Sequence, residues 1–206
     1  MPLEGELAIL REERREDLHF FRELRNDLDT QAWSKTLPPD FTEPMYTKRF
    51  DAREFSYDPK EGRFTIVRKD TGERAGYTSY TGLEPRFAAT VGIIVSKDCW
   101  GTGVALDAQE VLLKFLFVEL GLRVVRLWTH SGNPHAVRLA ERSGFQVSGR
   151  MRESIFKGGQ CYDNLIMDLL REEYFARHPE LGDHLPPLWP VIPNSLKEEI
   201  DVDRSS

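Results

Sequence analysis

The chain has 206 residues, which is enough for one domain with a short addition. Its net charge of −6 at pH 7 argues against a nucleic-acid-binding surface and gives only weak support for a cationic or amine-bearing substrate. Cys99 and Cys161 are too few for a disulfide framework, and no secretory leader or 18-residue apolar run is present. The composition therefore predicts a soluble cytoplasmic protein that binds neither nucleic acid nor membrane.

The first half of the chain predicts short strands and amphipathic helices. Apolar residues at helical spacing predict a helix over Asp17–Asp27, and a second helical segment is expected over Phe41–Phe55. Alternating apolar residues and a turn at 70–73 predict strands. The expected strands are Leu7–Leu10, Arg63–Lys69, Arg74–Thr81 and Thr90–Val95.

A glycine turn then leads into a long apolar helix. Gly101 and Gly103 follow Trp100, and the helix is expected to run from 102 to 120 and to end at Gly121. Backbone N–H groups at such a helix start, together with the helix dipole, favour an anion. The turn is not a complete dinucleotide fingerprint, because its sixth position is Leu106, and it lacks the Gly-Lys-Ser/Thr of a P-loop.

The second half of the chain predicts a strand and a helix, and it ends in a Pro-rich segment. Arg123–Thr129 is predicted to be a strand, and Asn133 with Pro134 forms the usual start of a helix that ends before Gly144. Five prolines between 179 and 193 exclude regular secondary structure there. The chain is therefore divided into a domain over 1–172 and a Pro-rich extension over 173–206.

The glycine turn and the downstream block together resemble the GNAT superfamily of acyl-CoA-dependent N-acetyltransferases. The block consists of Asn133, Ala136, Glu141, Arg142, Gly144 and Phe145. The residues from Gly149 to Leu170 resemble the C-terminal strand hairpin of the RimJ/RimL branch, named for N-acetyltransferases of ribosomal-protein alanine and serine N-termini. The resemblance implies an α/β (α+β) fold. Its mixed, mostly antiparallel sheet would have six or seven strands, helices on both faces and a splayed central strand pair.

The resemblance also implies acetyl-CoA as co-substrate, without a metal, and a set of residues that bind it. The turn amides would hold the pyrophosphate, and the backbone of the preceding strand would bind the pantetheine arm and polarise the thioester carbonyl. Asn133 would cap its helix and contact the arm. We assign Trp100 mainly to packing, and we keep it among the candidate cofactor-binding residues. The implied cofactor-binding residues are Ile93, Ile94, Val95, Trp100, Gly101, Thr102, Gly103, Val104, Ala105 and Asn133.

The expected catalytic acid is missing. Members of the superfamily often place a tyrosine seven residues, or a serine three residues, after the asparagine, and these positions are Ala140 and Ala136 here. Either solvent or another side chain, such as Tyr162 or Cys99, would then protonate the leaving thiolate, or catalysis would be slower. Tyr162 is our catalytic candidate.

The sequence also does not identify the general base, because Thr90 stands where the resembled motif often has a glutamate. Glu84 is our catalytic candidate for the base, and Glu54, Asp98 and Glu153 are alternatives. Asp107 occupies the position of a common glutamate, for which we expect helix capping and a supporting role.

The predicted reaction is direct transfer of an acetyl group to a primary amine in a ternary complex. The amine would belong to a small molecule or to a peptide N-terminus. A homodimer is the expected oligomeric state. Two alternatives remain open at this point. The chain could be a catalytically degenerate acyl-CoA-binding module, or it could transfer a longer acyl group or use a carrier-protein donor.

Overall fold

A computed structural model describes residues 3–31, 42–54 and 60–182. The strands are β1 (Leu3–Glu4), β2 (Ala8–Glu12), β3 (Gly62–Arg68), β4 (Arg74–Glu84), β5 (Ala88–Val95), β6 (Val124–His130), β7 (Gln146–Lys157) and β8 (Gln160–Leu170). Within the described ranges they form one eight-stranded sheet in the order β1-β2-β3-β4-β5-β6-β8-β7. The β5–β6 pair is parallel and the other pairs are antiparallel. The predicted sheet is confirmed, and the two-residue β1 brings the strand number to eight.

The four predicted helical segments are present with different ends, and the described residues also contain two short helices. They are α1 (Leu18–Asn26), α2 (Leu28–Gln31), α3 (Glu43–Glu54), α4 (Val104–Lys114), α5 (Pro134–Arg142) and α6 (Arg171–Arg177). The predicted start of α4 at 102 is wrong, because Gly103 has a left-handed φ of +88° and the helix begins after it. The last turn, Phe115–Glu119, is π-helical, and the Leu120 N–H donates to Phe115 O at 3.0 Å.

Helices cover both faces of the sheet. Because neighbouring residues of a strand point to opposite faces, one strand contributes side chains to the helical layers on both sides. On β3, Ile66 packs into the main core with α4, while the hydroxyl of Thr65 donates to Asp17, just before α1, at 2.9 Å. On β4, Tyr77 contacts Phe21 of α1 with ring centroids 5.3 Å apart. The main core thus lies between the sheet and α4, and a smaller core lies under α1 and α3.

The C-terminal part of the described chain joins the main core. Tyr174 of α6 is buried and stacks on Phe117 with centroids 4.6 Å apart. Tyr174 follows the predicted boundary at 172, so α6 packs with the sheet although it belongs to the predicted extension. The rest of that extension, 183–206, lies outside the described residues.

The strands β5 and β6 diverge halfway along their length. Their pairing runs from Ala88 with Val124 to Val91 with Leu127. Beyond this point β5 continues to Val95 on β4, and β6 continues to His130 on β8. The backbone edges that face each other across this gap have no ladder partner in the neighbouring strand. This is the splayed strand pair that the resemblance implied.

Asp107 on α4 holds the turn between β1 and β2. Its carboxylate accepts the backbone N–H groups of Glu6, Leu7 and Ala8 at 3.0, 2.9 and 2.8 Å. The expected supporting role is therefore realised on a neighbouring turn and not as a cap of its own helix, for which no side-chain bond is formed. The contact fixes the start of α4 against the edge of the sheet.

We expect Asp107→Ala to lower the free energy of unfolding by about 2 kcal/mol, because hydrogen bonds to a charged acceptor are lost and three N–H groups lose their partner. Urea unfolding at pH 7 measures the change. Asp70→Ala is the matched control, since Asp70 is exposed and its carboxylate pairs with Arg68 two residues away on the surface. Equal losses in the two variants would contradict this role for Asp107.

Candidate functional site

A cavity of about 540 Å³ opens where β5 and β6 part. Its walls come from Val91–Val95 of β5, from Leu127–His130 of β6, from the glycine turn before α4 and from α5. Eight of the ten predicted cofactor-binding residues line it, namely Ile93, Ile94, Val95, Trp100, Gly101, Gly103, Ala105 and Asn133. The structure thus brings together residues that are separated by up to 40 positions in the sequence.

The other two predicted residues face elsewhere. The hydroxyl of Thr102 donates to Cys99 O at 2.7 Å and holds the turn together. The side chain of Val104 is buried in the main core. Neither side chain reaches the cavity, so only their backbone groups remain candidates for a ligand contact.

The glycine turn has the shape of an anion cradle. Gly101 and Gly103 both have left-handed backbone, with φ of +75° and +88°, which L-residues with a side chain rarely adopt. A Cβ atom at Gly101 would meet no atom within 4 Å, so the space in front of this backbone is open. Because α4 starts immediately afterwards, its N-terminal amides and dipole favour a negatively charged group in that space. The turn therefore fits a pyrophosphate.

Trp100 packs at the mouth of the cavity and not in the buried core. Its side chain is 42% exposed and lies at the cavity, where the indole stacks on His135 with centroids 6.2 Å apart. The indole N–H donates to Val95 O at 3.4 Å. The ring is therefore tied both to the end of β5 and to the start of α5, and it forms part of the cavity mouth.

Asn133 caps α5 as predicted. Its Oδ1 accepts the N–H of Ala136 at 3.0 Å, and Pro134 occupies the first turn. The residue also lines the cavity. The capping role is confirmed, while the predicted contact with the pantetheine arm stays a prediction.

Two arginines on α5 were not predicted as site residues. Arg138 and Arg142 line the cavity, and they lie four residues apart on one helix face. The guanidinium of Arg138 donates to Pro134 O at 3.1 Å, which keeps it near the start of the helix. Their charge adds to the positive potential of the α4 N-terminus. The (i, i+4) spacing after Asn133 is the sequence signal that could have identified them.

The two predicted catalytic residues do not reach the cavity. Glu84 is exposed and pairs with Ala88, at the opposite end of β5 from Val95. The hydroxyl of Tyr162 donates to Gln160 Oε1 at 2.9 Å, and its ring lies 5.6 Å from that of His130, which does line the cavity. Of the alternative bases, Asp98 and Glu153 are exposed and do not line it, and the Glu54 side chain lies outside the description.

The cavity also contains buried polar side chains that the sequence did not single out. His130, Thr129, Gln109 and Thr78 line it and are each less than one-tenth exposed. The amide nitrogen of Gln109 has no hydrogen-bond partner among the described residues. A buried polar group in this position is stabilised when a ligand supplies the partner. The cavity can thus hold a ligand with both apolar and hydrogen-bonding parts.

A family model for the acetyltransferase (GNAT) domain matches residues 8–146. The chain belongs to the GNAT acetyltransferase family. In this GNAT domain the glycine turn, β5 and β6 all fall within the matched range. The predicted fold and family are therefore confirmed, whereas the RimJ/RimL branch is not decided by this match.

Two curated relatives show which acetyltransferases the chain is similar to. It is 27% identical over 180 residues to spermidine N(1)-acetyltransferase of Escherichia coli (strain K12), covering 85% of this chain and 92% of that enzyme. It is 31% identical over 145 residues to L-methionine sulfoximine/L-methionine sulfone acetyltransferase of Pseudomonas paraeruginosa, covering 68% and 79%. Both are named acetyltransferases, and the first is named an N-acetyltransferase.

A solved structure gives the same fold. Spermidine N-acetyltransferase from Vibrio cholerae, in complex with CoA and spermine, superposes with a TM-score of 0.73 over 82% of this chain and 98% of that one, at 24% identity. At this identity the likeness concerns the fold. Among residues 3–31, 42–54 and 60–182, no cluster of His, Cys, Asp or Glu has the arrangement of a metal site. The helices in those ranges include none that is long and apolar enough to cross a membrane.

Proposed function

We propose that this chain transfers the acetyl group of acetyl-CoA to a primary amine by direct attack in a ternary complex. The observation that carries the proposal is the continuous cavity, which joins the anion cradle at α4 to the gap between β5 and β6. A cradle for phosphates and an adjacent exposed strand edge match the two ends of an acyl-CoA donor. Family membership supports the same reaction.

The residues of the site divide the task of holding the donor. Backbone amides at Gly101–Ala105 would bind the pyrophosphate, and Arg138 and Arg142 would add charge beside it. The edge of β5 from Ile93 to Val95 would hydrogen-bond the pantetheine arm, and one of its amides would polarise the thioester carbonyl. The donor supplies an acetyl thioester. The amine attacks this thioester directly, so no acetyl group is first attached to the protein.

The amine acceptor is proposed to be a small molecule or a peptide N-terminus. The spermidine and methionine sulfoximine acetyltransferases to which the chain is similar support a small amine. The residues of the 149–170 hairpin support the RimJ/RimL-like branch, and with it a peptide acceptor. We propose both acceptor classes. We also propose that the protein is a homodimer with a cytoplasmic location, and that the chain divides into a domain over 1–172 and an extension over 173–206.

An assay of thiol release from acetyl-CoA across an amine panel tests this function. The panel holds spermidine, L-methionine sulfoximine and peptides that begin with alanine or serine. We expect turnover with at least one amine, and propionyl-CoA and longer donors to be slower because the walls at Val91, Leu112 and Leu127 close the cavity between the strands.

The absence of an acid at Ala136 and Ala140 makes a non-catalytic binding module the competing function. Ala136 lines the cavity and Ala140 is buried. Because the side chain of alanine is a methyl group, neither position offers a proton donor. Binding of coenzyme A without turnover on any amine would contradict the proposed transferase and favour that module. Faster turnover with a longer acyl-CoA would instead favour a different donor.

A further inference from the structure

Gln109 is a buried glutamine on the face of α4 that lines the cavity. It is 4% exposed, and Ala105, Leu112 and Leu113, three or four residues away on the same helix face, line the cavity with it. Within residues 3–31, 42–54 and 60–182, its buried Nε2 has no hydrogen-bond partner. A buried N–H group without a partner costs free energy, so the fold gains nothing from this donor. An amide of this kind indicates a ligand that supplies the missing acceptor.

Gln109 lies beside the part of the gap where β5 and β6 have just separated. The last β5–β6 pair joins Val91 to Leu127, and both residues belong to the main core together with Leu113. Gln109 is one helical turn before Leu113, which places it about 6 Å nearer to the glycine turn. Ile93 lies two residues beyond Val91, about 7 Å along β5 in the same direction. Gln109 is therefore level with Ile93, near the start of the free edge of β5.

The chemistry of Gln109 matches the pantetheine arm of coenzyme A and not its phosphates. Phosphates carry negative charge, for which the cradle at Gly101–Ala105 and the guanidinium groups of Arg138 and Arg142 are suited. Gln109 is uncharged and lies among apolar side chains. A pantetheine arm is an apolar chain interrupted by secondary amides, each with a C=O acceptor and an N–H donor. A glutamine side chain offers the complementary pair, with a donor at Nε2 and an acceptor at Oε1.

The distance of Gln109 from the cradle fits the same part of the donor. Gln109 follows Gly103 by six residues, which corresponds to about 9 Å along the axis of α4. In an extended coenzyme A molecule the amides of the arm lie between the pyrophosphate and the thioester. An arm that runs from the cradle into the gap therefore passes Gln109 with its amides before the thioester is reached.

We propose that the side-chain amide of Gln109 binds a secondary amide of the pantetheine arm, a role that rests on the donor site of the proposed function. Nε2 donates a hydrogen bond to a carbonyl oxygen of the arm from the side of α4. The free edge of β5 from Ile93 to Val95 binds the same arm with its backbone. The donor is thus held between a helix side chain and a strand edge, and the unpaired N–H group of Gln109 gains its acceptor.

Replacing Gln109 with methionine separates this role from a role in the fold. Methionine has a similar unbranched shape but no amide, so the ligand-free variant is expected to melt at or above the wild-type temperature. We expect the affinity for coenzyme A to fall about fivefold or more. The affinity for 3′-phospho-ADP, the nucleotide part of coenzyme A without the arm, should change by less than about twofold, since only the lost contact to the arm affects binding.

Isothermal titration calorimetry with both ligands, and thermal unfolding without ligand, measure these three quantities. Gln160→Met is the matched control, because it makes the same chemical change at an exposed residue at the start of β8, outside the cavity. It should leave both affinities as they are in the wild type.

The outcomes separate this inference from the proposed function. If Gln109→Met binds coenzyme A as tightly as the wild type, or loses affinity for 3′-phospho-ADP to the same extent, Gln109 does not bind the arm, while the transferase stands. A variant that melts clearly below the wild type, or does not fold, would mean that the amide serves the fold, and this also overturns the inference. If the wild type binds coenzyme A but acetylates no amine, the transferase is wrong, and the two affinities still decide the role of Gln109. If the wild type does not bind coenzyme A, the donor site and the inference are both wrong.

Discussion

Replacing Gly101 with valine is expected to weaken coenzyme A binding by at least about tenfold. Gly101 has φ of +75°, and the space that a side chain would occupy is open toward the cavity. A valine there would fill the cradle, and its branched side chain would also push the backbone out of the left-handed region. Both effects remove amides from the place where the pyrophosphate is proposed to lie. Isothermal titration calorimetry with coenzyme A measures the change.

Gly72→Val is the matched control for this variant. Gly72 has φ of +73° and equally open space around its would-be Cβ, but it lies in the β3–β4 turn, outside the cavity. The two variants therefore carry the same backbone strain, and only Gly101→Val blocks the proposed cradle. Similar melting temperatures with a loss of affinity in Gly101→Val alone would support the site. Unchanged affinity in a folded Gly101→Val would place the phosphates elsewhere.

The donor side of the site was predictable because it is built from contiguous backbone signals. Gly101, Gly103 and the start of α4 form an anion cradle from residues within one turn of each other, and Asn133 with Pro134 marks a helix start in the same local way. Such signals depend on φ preferences and capping, which a single sequence records. The family resemblance extended this set to the strand before the turn, and eight of the ten residues that it implied line one cavity.

The buried polar residues in the gap were not predictable because their positions depend on strand register. His130 and Asn164 are 34 positions apart, and only the β6–β8 pairing makes them neighbours. Glu84 lies outside the cavity for the related reason that β4 and β5 are antiparallel, which places it beside Ala88, at the end of β5 remote from the cavity. The spacing and composition of a single sequence do not reveal strand register. They therefore cannot show which of the many acidic residues lies near the cavity. The same limit explains Trp100, whose stacking on His135 joins two separate loops.

Asp17 was predicted only as the start of a helix, and the structure makes it a buried ionic centre. Arg11 donates to both of its carboxylate oxygens at 2.7 and 2.8 Å, and the Arg14 N–H and the Thr65 hydroxyl donate at 2.9 Å each. Burial opposes ionisation of the carboxyl group, but these hydrogen bonds outweigh it and lower its pKa to about 2. The carboxylate joins β2, β3 and α1 at the edge of the smaller core.

We expect Asp17→Asn to lower the free energy of unfolding at pH 7 by about 3 kcal/mol, because Arg11 keeps its buried charge without a counter-charge. About 2 kcal/mol of this depends on pH, since the folded pKa lies below the unfolded one. This stabilisation is complete above the unfolded pKa near 4 and is lost as pH falls toward 2. The difference between wild type and variant should therefore shrink between pH 5 and 2.

Urea unfolding of both proteins at pH 7, 4 and 3 measures that difference. Asp51→Asn is the matched control, because Asp51 also pairs with an arginine, Arg15, at 2.6 Å, but on the surface, where water screens the pair. Its effect should stay within about 1 kcal/mol at all three values of pH. A gap between wild type and Asp17→Asn that stays constant down to pH 3 would mean that the Asp17 carboxylate does not carry the stabilisation. Packing around the side chain would then account for the loss.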